Sequence, residues 1–446
     1  MRTNESESDL RAPSALERAT LGKVTRRLVP FLLLLYIVAW LDRVNVSFAA
    51  LQMNQDLGFS KTAYGFGAGI FYVGYALFEI PSNLVLARVG ARRWIARIMI
   101  TWGIISVAFM FVRDTTTFAV LRVLLGVAEA GFLPGIIYYM TYWFPRPVRA
   151  QAVSWFMAAI PLSVVIGGPL AGGLLEMDGL LGLQGWQWLF MVEGAPAIIL
   201  GVVVLFYLTD KPEQATWLAP EERTWLSSVI QAEHEQARTQ HNVGLLRAMY
   251  HPTVWVLIFI MFACQTGSYG LTYWVPLIIK SVSGLSDFQV GLLAAIPYLA
   301  ATAGMVLIGW NSDRTAERFL HIAVPCVIAA IGFILSMYLT SPVPAMIALT
   351  VAAVGDLGSR GPFWALPGRF LTGAASAGGI ALINTVASLG GLVGPSVVGL
   401  ATDRTGEYSV GLALLAPLLI AGALAAWLLR RSRSLAVDAV PATRAH

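Results

Sequence analysis

Four charged residues lie inside long apolar runs of this 446-residue sequence, where their side chains could bind ions or protons. Asp42 and Arg43 are neighbours in one run, and Arg122 and Glu129 are seven residues apart in another. If the second run is a helix, Arg122 and Glu129 share one face, about 10 Å apart along its axis. The four charges sum to zero, so protonation of either acid frees an arginine to pair with a carboxylate. We therefore expect proton binding and anion binding to favour each other, unless the charges form only a structural ion network that fixes helix packing.

Other apolar runs carry polar and aromatic residues at a similar depth. Asn384 is the clearest polar side chain in the middle of its run, which favours a hydrogen-bonding role. Trp364 could stack on a flat aromatic acid or on a sugar ring, and both alternatives stay open. Asp356 and Arg360 are one helical turn apart. They form either a self-neutralising structural pair or a site at which Arg360 reaches a second carboxylate.

These residues must be positioned by membrane-spanning helices. The chain is 57% hydrophobic and 12% charged, whereas soluble domains have about 25% charged residues. A membrane-crossing helix needs about 20 apolar residues, and backbone polar groups must be satisfied within the segment. Twelve runs are long enough, at residues 28–50, 61–86, 94–112, 117–143, 150–176, 188–209, 253–280, 287–311, 320–340, 344–370, 375–401 and 409–429.

Lysine and arginine residues indicate how these runs are oriented. With a cytoplasmic N-terminus, 23 of the 30 basic residues fall in cytoplasmic segments and four in outer segments. The remaining three are Arg43, Arg122 and Arg360, inside runs. Because short cytoplasmic loops carry the excess of basic residues, we predict a multi-pass protein of the cell inner membrane with both termini in the cytoplasm.

A repeat divides the runs into two sets of six. The motif containing Pro169 recurs around Pro395, and Arg88 recurs as Arg314, both with an offset of 226 residues. Six-helix repeats are typical of secondary transporters, which bind substrate near the bilayer midplane between the repeats. We predict an N-terminal tail (1–27), a six-helix bundle (28–209), a central cytoplasmic loop (210–252) that is partly helical from Pro220, a second six-helix bundle (253–429) and a cytoplasmic tail (430–446).

Several motifs resemble those of a known family. They are Leu41-Asp42-Arg43-Val-Asn45, Glu79-Ile-Pro-Ser-Asn83, Arg122-x-x-x-Gly126-x-x-Glu129 and Gly361-Pro-Phe-Trp364. With them the chain resembles the major facilitator superfamily, and within it the anion:cation symporters, which include bacterial tartrate, phthalate, hydroxyphenylacetate and sugar-acid permeases. The resemblance implies an all-α fold of two pseudo-symmetric six-helix bundles and proton-coupled import of a small organic anion by alternating access.

The resemblance also implies roles for individual residues. Asp42 and Glu129 would carry protons, and Arg43 would be the main ligand of the substrate carboxylate. From the charge sum rather than from the resemblance, we expect Arg122 to hold an acid when the site is empty and to be available to a substrate carboxylate once that acid is protonated. The resemblance places Tyr75 at this site, with Trp364 and Asn384 from the second half.

A second set of residues resembles the loops that gate superfamily members. Gly309-x-x-x-Asp313-Arg314, after the eighth run, is similar to the family's signature loop. Its counterpart in the first half keeps Arg88 but has Asn83 in place of the glycine and Ala87 in place of the acid. We expect Arg88, Asp313 and Arg314 to act at the cytoplasmic gate, and Glu79 and Glu193, nearer the ends of their runs, to have local partners or helix-terminus roles.

Other classes of function are disfavoured. The sequence has no HExxH, GxSxG or P-loop motif, and its five histidines lie in loops or at run ends, so we expect no enzyme, metal or cofactor. The basic residues are scattered over short loops, which argues against a nucleic-acid partner. Cys264 and Cys326 lie inside apolar runs and are expected to pack there. A monomer is the expected state, with the lipid bilayer, a small organic anion and a proton as partners. A proton-coupled exporter is the alternative function; the identity of the anion, the proton stoichiometry and sodium coupling stay open.

Overall fold

The structure is a computed structural model that describes residues 14–239, 252–339, 341–367 and 374–431. These residues form helices and contain no strand. Eleven of their helices are long and apolar enough to cross a membrane, and a twelfth is a shorter apolar helix. Along the chain they are α1 (Ala15–Asp56), α2 (Lys61–Val89), α3 (Ala91–Phe111), α4 (Thr115–Met140), α5 (Arg146–Leu175), α6 (Gly185–Tyr207), α7 (Pro252–Thr272), α8 (Asp287–Thr315), α9 (Leu320–Leu335), α10 (Pro342–Trp364), α11 (Gly379–Thr405) and α12 (Tyr408–Arg431). Each corresponds to one predicted run, and the all-α fold is confirmed.

The helices pack into two bundles of six. In the first half α3 packs on α6, α2 on α4, and α1 on α5 and α6. In the second half α8 packs on α10, α9 on α10 and α12, and α7 on α12. Large apolar side chains remain exposed on the outer surface, with Phe206 83% and Leu307 63% exposed. A surface of this kind is stable against lipid rather than water.

The segment between the bundles contains a polar helix, Pro220–Thr239, which begins at Pro220 as predicted and carries two acids in its first turn. It is held against the first half by ion pairs from Lys23 to Glu222 and from Arg149 to Glu233, each 2.7 Å long. The hydrogen bond from Lys23 holds the pKa of the Glu222 carboxyl below its usual range. The rest of the predicted central loop, residues 240–251, lies outside the described residues.

The predicted terminal segments are described only in part. Helix α1 begins at Ala15, where Ser14 and Glu17 form a capping box, so the predicted tail 1–27 includes the first turns of α1. Residues 1–13 and 432–446 lie outside the described residues. The boundaries predicted for the two bundles and the loop stay a prediction.

Glycines join the two halves at one end of the molecule. We call this the distal end, where α1 ends and α2 begins; the proximal end is where α1 begins. A Cβ on Gly168 of α5 would collide with the carbonyl oxygen of Gly291 of α8, and a Cβ on Gly65 of α2 would collide with that of Pro395 of α11. The backbones therefore touch directly, as small residues allow in membrane helices, and close the distal end.

Polar contacts reinforce this closure. The Gln52 amide donates a hydrogen bond of 2.9 Å to Asp287 of the second half. The backbone N–H groups of Lys61 and Thr62, at the start of α2, donate bonds of 3.0 and 2.7 Å to Asp403 of α11. Asp403 thus caps a helix that belongs to the other half, where a carboxylate is favoured by the N-terminal dipole.

Candidate functional site

A buried ion pair joins α1 to α4. Arg43 Nη2 lies 2.9 Å from Glu129 Oε1, and the two side chains are only 11% and 4% exposed. The guanidinium lies beside the rings of Trp40, Phe71 and Tyr75, with centroid distances of 5.8, 5.6 and 5.3 Å. The structure therefore brings together three of the predicted site residues, Arg43, Glu129 and Tyr75, in an aromatic setting that suits a cation.

Charge attraction, more than hydrogen bonding, holds this pair. Neither oxygen of Glu129 accepts a well-oriented hydrogen bond from the described residues, and Nε of Arg43 donates none. A bidentate arginine–carboxylate pair would use two parallel bonds. Arg43 therefore keeps donors with which it could bind a second, incoming carboxylate.

The backbone of α4 is interrupted beside the acid. The helical segment that starts at Thr115 ends at Glu129, and the chain resumes as a helix at Phe132 after Gly131, which has φ of 86°. A side chain at Gly131 would collide with Ser82 of α2. Interrupted helices are a usual feature of transporter sites, and this interruption was not predicted from the apolar run.

Asp42 points away from Arg43, which corrects the expectation of one neutral cluster. Its carboxylate accepts hydrogen bonds from Trp102 Nε1 (2.7 Å), Ser106 Oγ (2.6 Å) and Asn45 Nδ2 (3.1 Å). Trp102 and Ser106 belong to α3, so Asp42 lies inside the first bundle. The physical reason is that consecutive helical residues point about 100° apart, so the two neighbours face different helices.

A second acid, Glu193 of α6, lies beside Asp42 and Asn45. Glu193 is 4% exposed, and neither of its oxygens has a well-oriented hydrogen bond among the described residues. A local partner or a helix-terminus role was the expectation for Glu193. The signal that pointed to an interior site was its position as the one charged residue in the apolar helix α6.

Arg122 does not hold an acid, contrary to expectation. It is 1% exposed, and its Nη2 donates to the backbone oxygen of Ala68 (2.7 Å) and to the hydroxyl of Tyr273 (3.2 Å). Among the described residues no carboxylate lies within ion-pair distance of it. Glu129, two turns further along α4, forms its ion pair with Arg43 instead. Arg122 is hydrogen-bonded to Tyr273 of the second half.

Tyrosines from both halves meet next to these groups. Tyr72 of α2 packs against Tyr269 of α7, with ring centroids 4.3 Å apart. The hydroxyls of Tyr72 and Tyr273 are 3.1 Å apart. Tyr269 and Tyr273 were not singled out from the sequence, although the 226-residue repeat places Tyr269 at the counterpart of Arg43. The candidate site therefore lies between the halves and is lined by phenols.

Glu79 connects the halves one turn beyond Tyr75 towards the proximal end. Its two carboxylate oxygens accept hydrogen bonds from Asn384 Nδ2 (2.9 Å) and Thr385 Oγ1 (2.7 Å) of α11. The partners of Glu79 are thus in the other half, which corrects the expectation of a local role. Asn384 makes a hydrogen bond across the two halves, and its contact with substrate stays a prediction.

The second half has its own charged pair. Arg360 Nη2 and Asp356 Oδ1 are 3.4 Å apart on α10. Trp364, one turn beyond Arg360, packs edge-on against Phe363 with centroids 5.3 Å apart. The predicted role of Trp364 as a substrate contact is not decided by these contacts.

The predicted gate residues lie at the proximal ends of α2 and α8. Asp313 pairs with Arg318 in the turn after α8, and the guanidinium of Arg314 lies 5.4 Å from the ring centroid of Trp310. Arg88 is exposed in the last turn of α2. These contacts stay within each half, and the gating role remains a prediction. In the described part of the chain, no group of three or more His, Cys, Asp or Glu residues could hold a metal ion.

Comparison with known proteins gives a consistent result. The family model described as Major Facilitator Superfamily matches residues 32–395. A protein of Agrobacterium vitis named as a tartrate transporter is 52% identical over 419 residues, which cover 94% of this chain and 96% of that protein. A protein of Acinetobacter baumannii named as a quinolone resistance transporter is 42% identical over 407 residues, covering 91% and 94% of the two chains.

A solved structure supports the same fold. The crystal structure of a bacterial homologue of the human lysosomal transporter Spinster, in an inward-facing and occupied conformation, matches with a TM-score of 0.75. The match covers 91% of this chain and 96% of that one at 18% identity, so the likeness concerns the fold alone.

Proposed function

Because this chain belongs to the major facilitator superfamily, we propose that it imports a small organic carboxylate together with protons by alternating access. The observation that carries the proposal is the buried Arg43–Glu129 pair at the junction of the two bundles. A buried arginine costs free energy unless an anion accompanies it. Either Glu129 or a substrate carboxylate can be that anion.

Exchange between these anions couples proton and substrate. When Glu129 takes up a proton, Arg43 loses its negative partner and the substrate carboxylate can replace it at no net change of buried charge. Substrate and proton then favour each other by linkage. Asp42, beside Glu193 within the first bundle, is proposed as a second proton carrier away from the substrate.

The orientation of the chain indicates which side of the membrane the site faces. The excess of basic residues in the loops of the proximal end favours a cytoplasmic location for that end, in the inner membrane of the cell. The distal end, closed by Gly168 and Gly291, would then face outward. The conformation described would release substrate inward, and a monomer holds the complete site.

The test is uptake by proteoliposomes of labelled tartrate, a sugar acid, phthalate and hydroxyphenylacetate. Each acid is offered with and without an inward proton gradient of about one pH unit, which sustains about tenfold accumulation for each proton carried when the protons neutralise the acid. Accumulation of at least one acid that collapses with a protonophore supports the proposal. Failure to accumulate any acid, together with proton-driven extrusion of a drug, contradicts it.

An exporter of the same fold is the second candidate, and the relative named for quinolone resistance favours it. Quinolones also carry a carboxylate, which Arg43 could bind. The two functions differ in the direction of net movement under a gradient. Inside-out and right-side-out vesicles, compared with the same labelled acid and the same gradient, distinguish them.

A further inference from the structure

The second half carries a buried arginine–acid pair that parallels the one in the first half. The side chains of Arg360 and Asp356 are 15% and 4% exposed. The 226-residue repeat puts the counterpart of Glu129 at residue 355, next to Asp356. Each half therefore has a buried acid at nearly the same position of its repeat, paired with an arginine from a different position: Arg43 on α1 in the first half and Arg360 on α10 in the second.

The hydrogen-bond donors of Arg360 have fewer and longer contacts than is expected of an arginine with a purely structural role. Its contact with Asp356 is long, at 3.4 Å, and the same Nη2 donates to the Cys264 backbone oxygen at 3.3 Å. Nη1 reaches only the thioether of Met261 at 3.7 Å, and the buried Nε has no partner among the described residues. A guanidinium has five N–H donors in a fixed fork, so Arg360 keeps capacity for a carboxylate.

A structural pair elsewhere in the molecule shows the difference. Arg149 Nη2 bonds Glu233 at 2.7 Å, and Arg149 Nε donates to the backbone oxygen of Phe144 at 2.8 Å. That pair docks the polar helix on α5. The Nε of Arg149 has a hydrogen-bond acceptor, whereas the Nε of Arg360 has none among the described residues. The Arg360 pair lacks this satisfaction although it is more deeply buried, where unsatisfied donors are costlier.

The two under-satisfied arginines lie near one contact between helices of opposite halves. Arg360 donates to a backbone oxygen of α7, and Tyr269 of α7 packs on Tyr72 of α2. Arg43 lies 5.3 Å from the ring centroid of Tyr75, on α2 as well. The arginines therefore approach the α2–α7 contact from opposite halves.

We propose that Arg360 forms a second carboxylate subsite, so that the substrate is a dicarboxylate held between Arg43 of the first half and Arg360 of the second. This inference rests on the proposed function and specifies its substrate class. The first carboxylate replaces protonated Glu129 on Arg43, and the second replaces Asp356 on Arg360, with Asp356 taking up a proton so that no unpaired charge is left buried.

The test compares the affinities of the purified full-length protein for tartrate and for threonate, which has the same four-carbon chain but one carboxylate. Charge-assisted bonds to one carboxylate predict that the wild type prefers tartrate by about 10- to 100-fold. In the double variant Arg360→Gln with Asp356→Asn, no unpaired charge is left buried. Its preference should fall to within about threefold, because the tartrate affinity falls most.

The control is the double variant Arg149→Gln with Glu233→Gln, which removes a pair far from the site and should keep the wild-type preference. Equal affinities of the wild type for both acids overturn the subsite while leaving the proposed function in place. An unchanged preference in the Arg360→Gln, Asp356→Asn variant also overturns it. If the wild type neither binds nor accumulates any carboxylate, the proposed function fails and the subsite fails with it.

Discussion

Arg43 is the residue whose partner would change in the proposed transport cycle. Arg43 is paired with Glu129 without well-oriented hydrogen bonds, so the free energy lost on separating them is smaller than for a bidentate pair. A substrate carboxylate that forms two parallel bonds to Arg43 can offset that loss. The geometry is thus suited to reversible exchange of one anion for another.

The first prediction at this scale concerns Glu129→Gln. The glutamine has the shape of the protonated acid but cannot release a proton, so Arg43 stays available and no proton is coupled. We expect proton-driven accumulation, about tenfold per pH unit for each proton carried in the wild type, to fall to passive equilibration. Counterflow exchange of labelled for unlabelled substrate should persist.

Glu176→Gln, at an exposed acid that follows α5, is the matched control and should accumulate substrate as the wild type does. Accumulation that survives in Glu129→Gln would remove this residue from the proton pathway. Loss of counterflow as well would show that the variant is defective in binding rather than in coupling.

The sequence predicted which residues are charged at membrane depth but not with which groups they pair. Arg43 and Glu129 could be recognised from their apolar surroundings, since charges in lipid are costly and rare. The partners of Asp42, Arg122 and Glu79 could not, because a rotation of a helix by one residue changes the neighbour that a side chain faces. All of these partners except Asn45 lie on other segments of the chain, and the apolar pattern holds no information on that rotation.

At the level of helices, the closure of the distal end depends on backbone contact. Gly168 and Gly291 allow α5 and α8 to touch, and the motif around Gly168 recurs in α11, which touches α2. The repeat predicted that the fifth and eleventh runs play equivalent roles. In the structure each contacts a helix of the opposite half, so these contacts must separate when the distal end opens.

The second prediction is that Gly168→Ala favours the open distal end. Its methyl group collides with the Gly291 carbonyl only in the closed arrangement, and overpacking of about 1–3 kcal/mol shifts the equilibrium about 5- to 150-fold. Spin labels at Glu176 and Ser281, one in each half, should show a longer distance between the labels.

Gly173→Ala, on the same helix, provides the control. The nearest atom to its new methyl group is in the Phe288 ring at 3.9 Å, an ordinary contact, so the label distance should not change. An unchanged distance in Gly168→Ala would mean that the backbone contact does not limit opening.

The helices themselves were predictable from run length, and their interruptions were not. Twelve apolar runs gave twelve helices because lipid leaves the backbone no other partner. The interruption after Glu129 requires Gly131 with a positive φ and close approach of Ser82. A glycine in an apolar run is equally compatible with a continuous helix, so tertiary contact decides between them.

For the whole molecule, the relative position of the two halves is set partly by Asp403. This residue of the second half caps α2 of the first by accepting the N–H groups of Lys61 and Thr62. Opening the distal end would break these hydrogen bonds, so the two N–H groups and the Asp403 carboxylate would lose their partners. The cap therefore stabilises the closed arrangement in particular.

The third prediction follows from this cap. Asp403→Ala should favour the open distal end by about 2- to 30-fold, the value of an N-cap of about 0.5–2 kcal/mol, measured with the same pair of spin labels. Asp114→Ala is the control, because Asp114 caps α4 of its own half by accepting the N–H of Thr117. It should lower thermal stability without changing the label distance, and a longer distance there would argue against a specific role for Asp403.

The two-bundle arrangement could be predicted from the repeat, whereas the conformation could not. Two motifs that recur with the same 226-residue offset suffice to show which helices of the two halves correspond. A transporter sequence has to be compatible with more than one arrangement of those halves, so the sequence alone cannot indicate that the distal end is closed.

The contact of Glu79 with Asn384 and Thr385 has a consequence for how long a substrate stays bound. It lies between the tyrosines of the site and the proximal end, so a departing molecule has to wait until these two hydrogen bonds break. Affinity and residence time are then governed by separate residues. A relative with the same arginines but a weaker contact at this level would bind its substrate equally well and discharge it sooner.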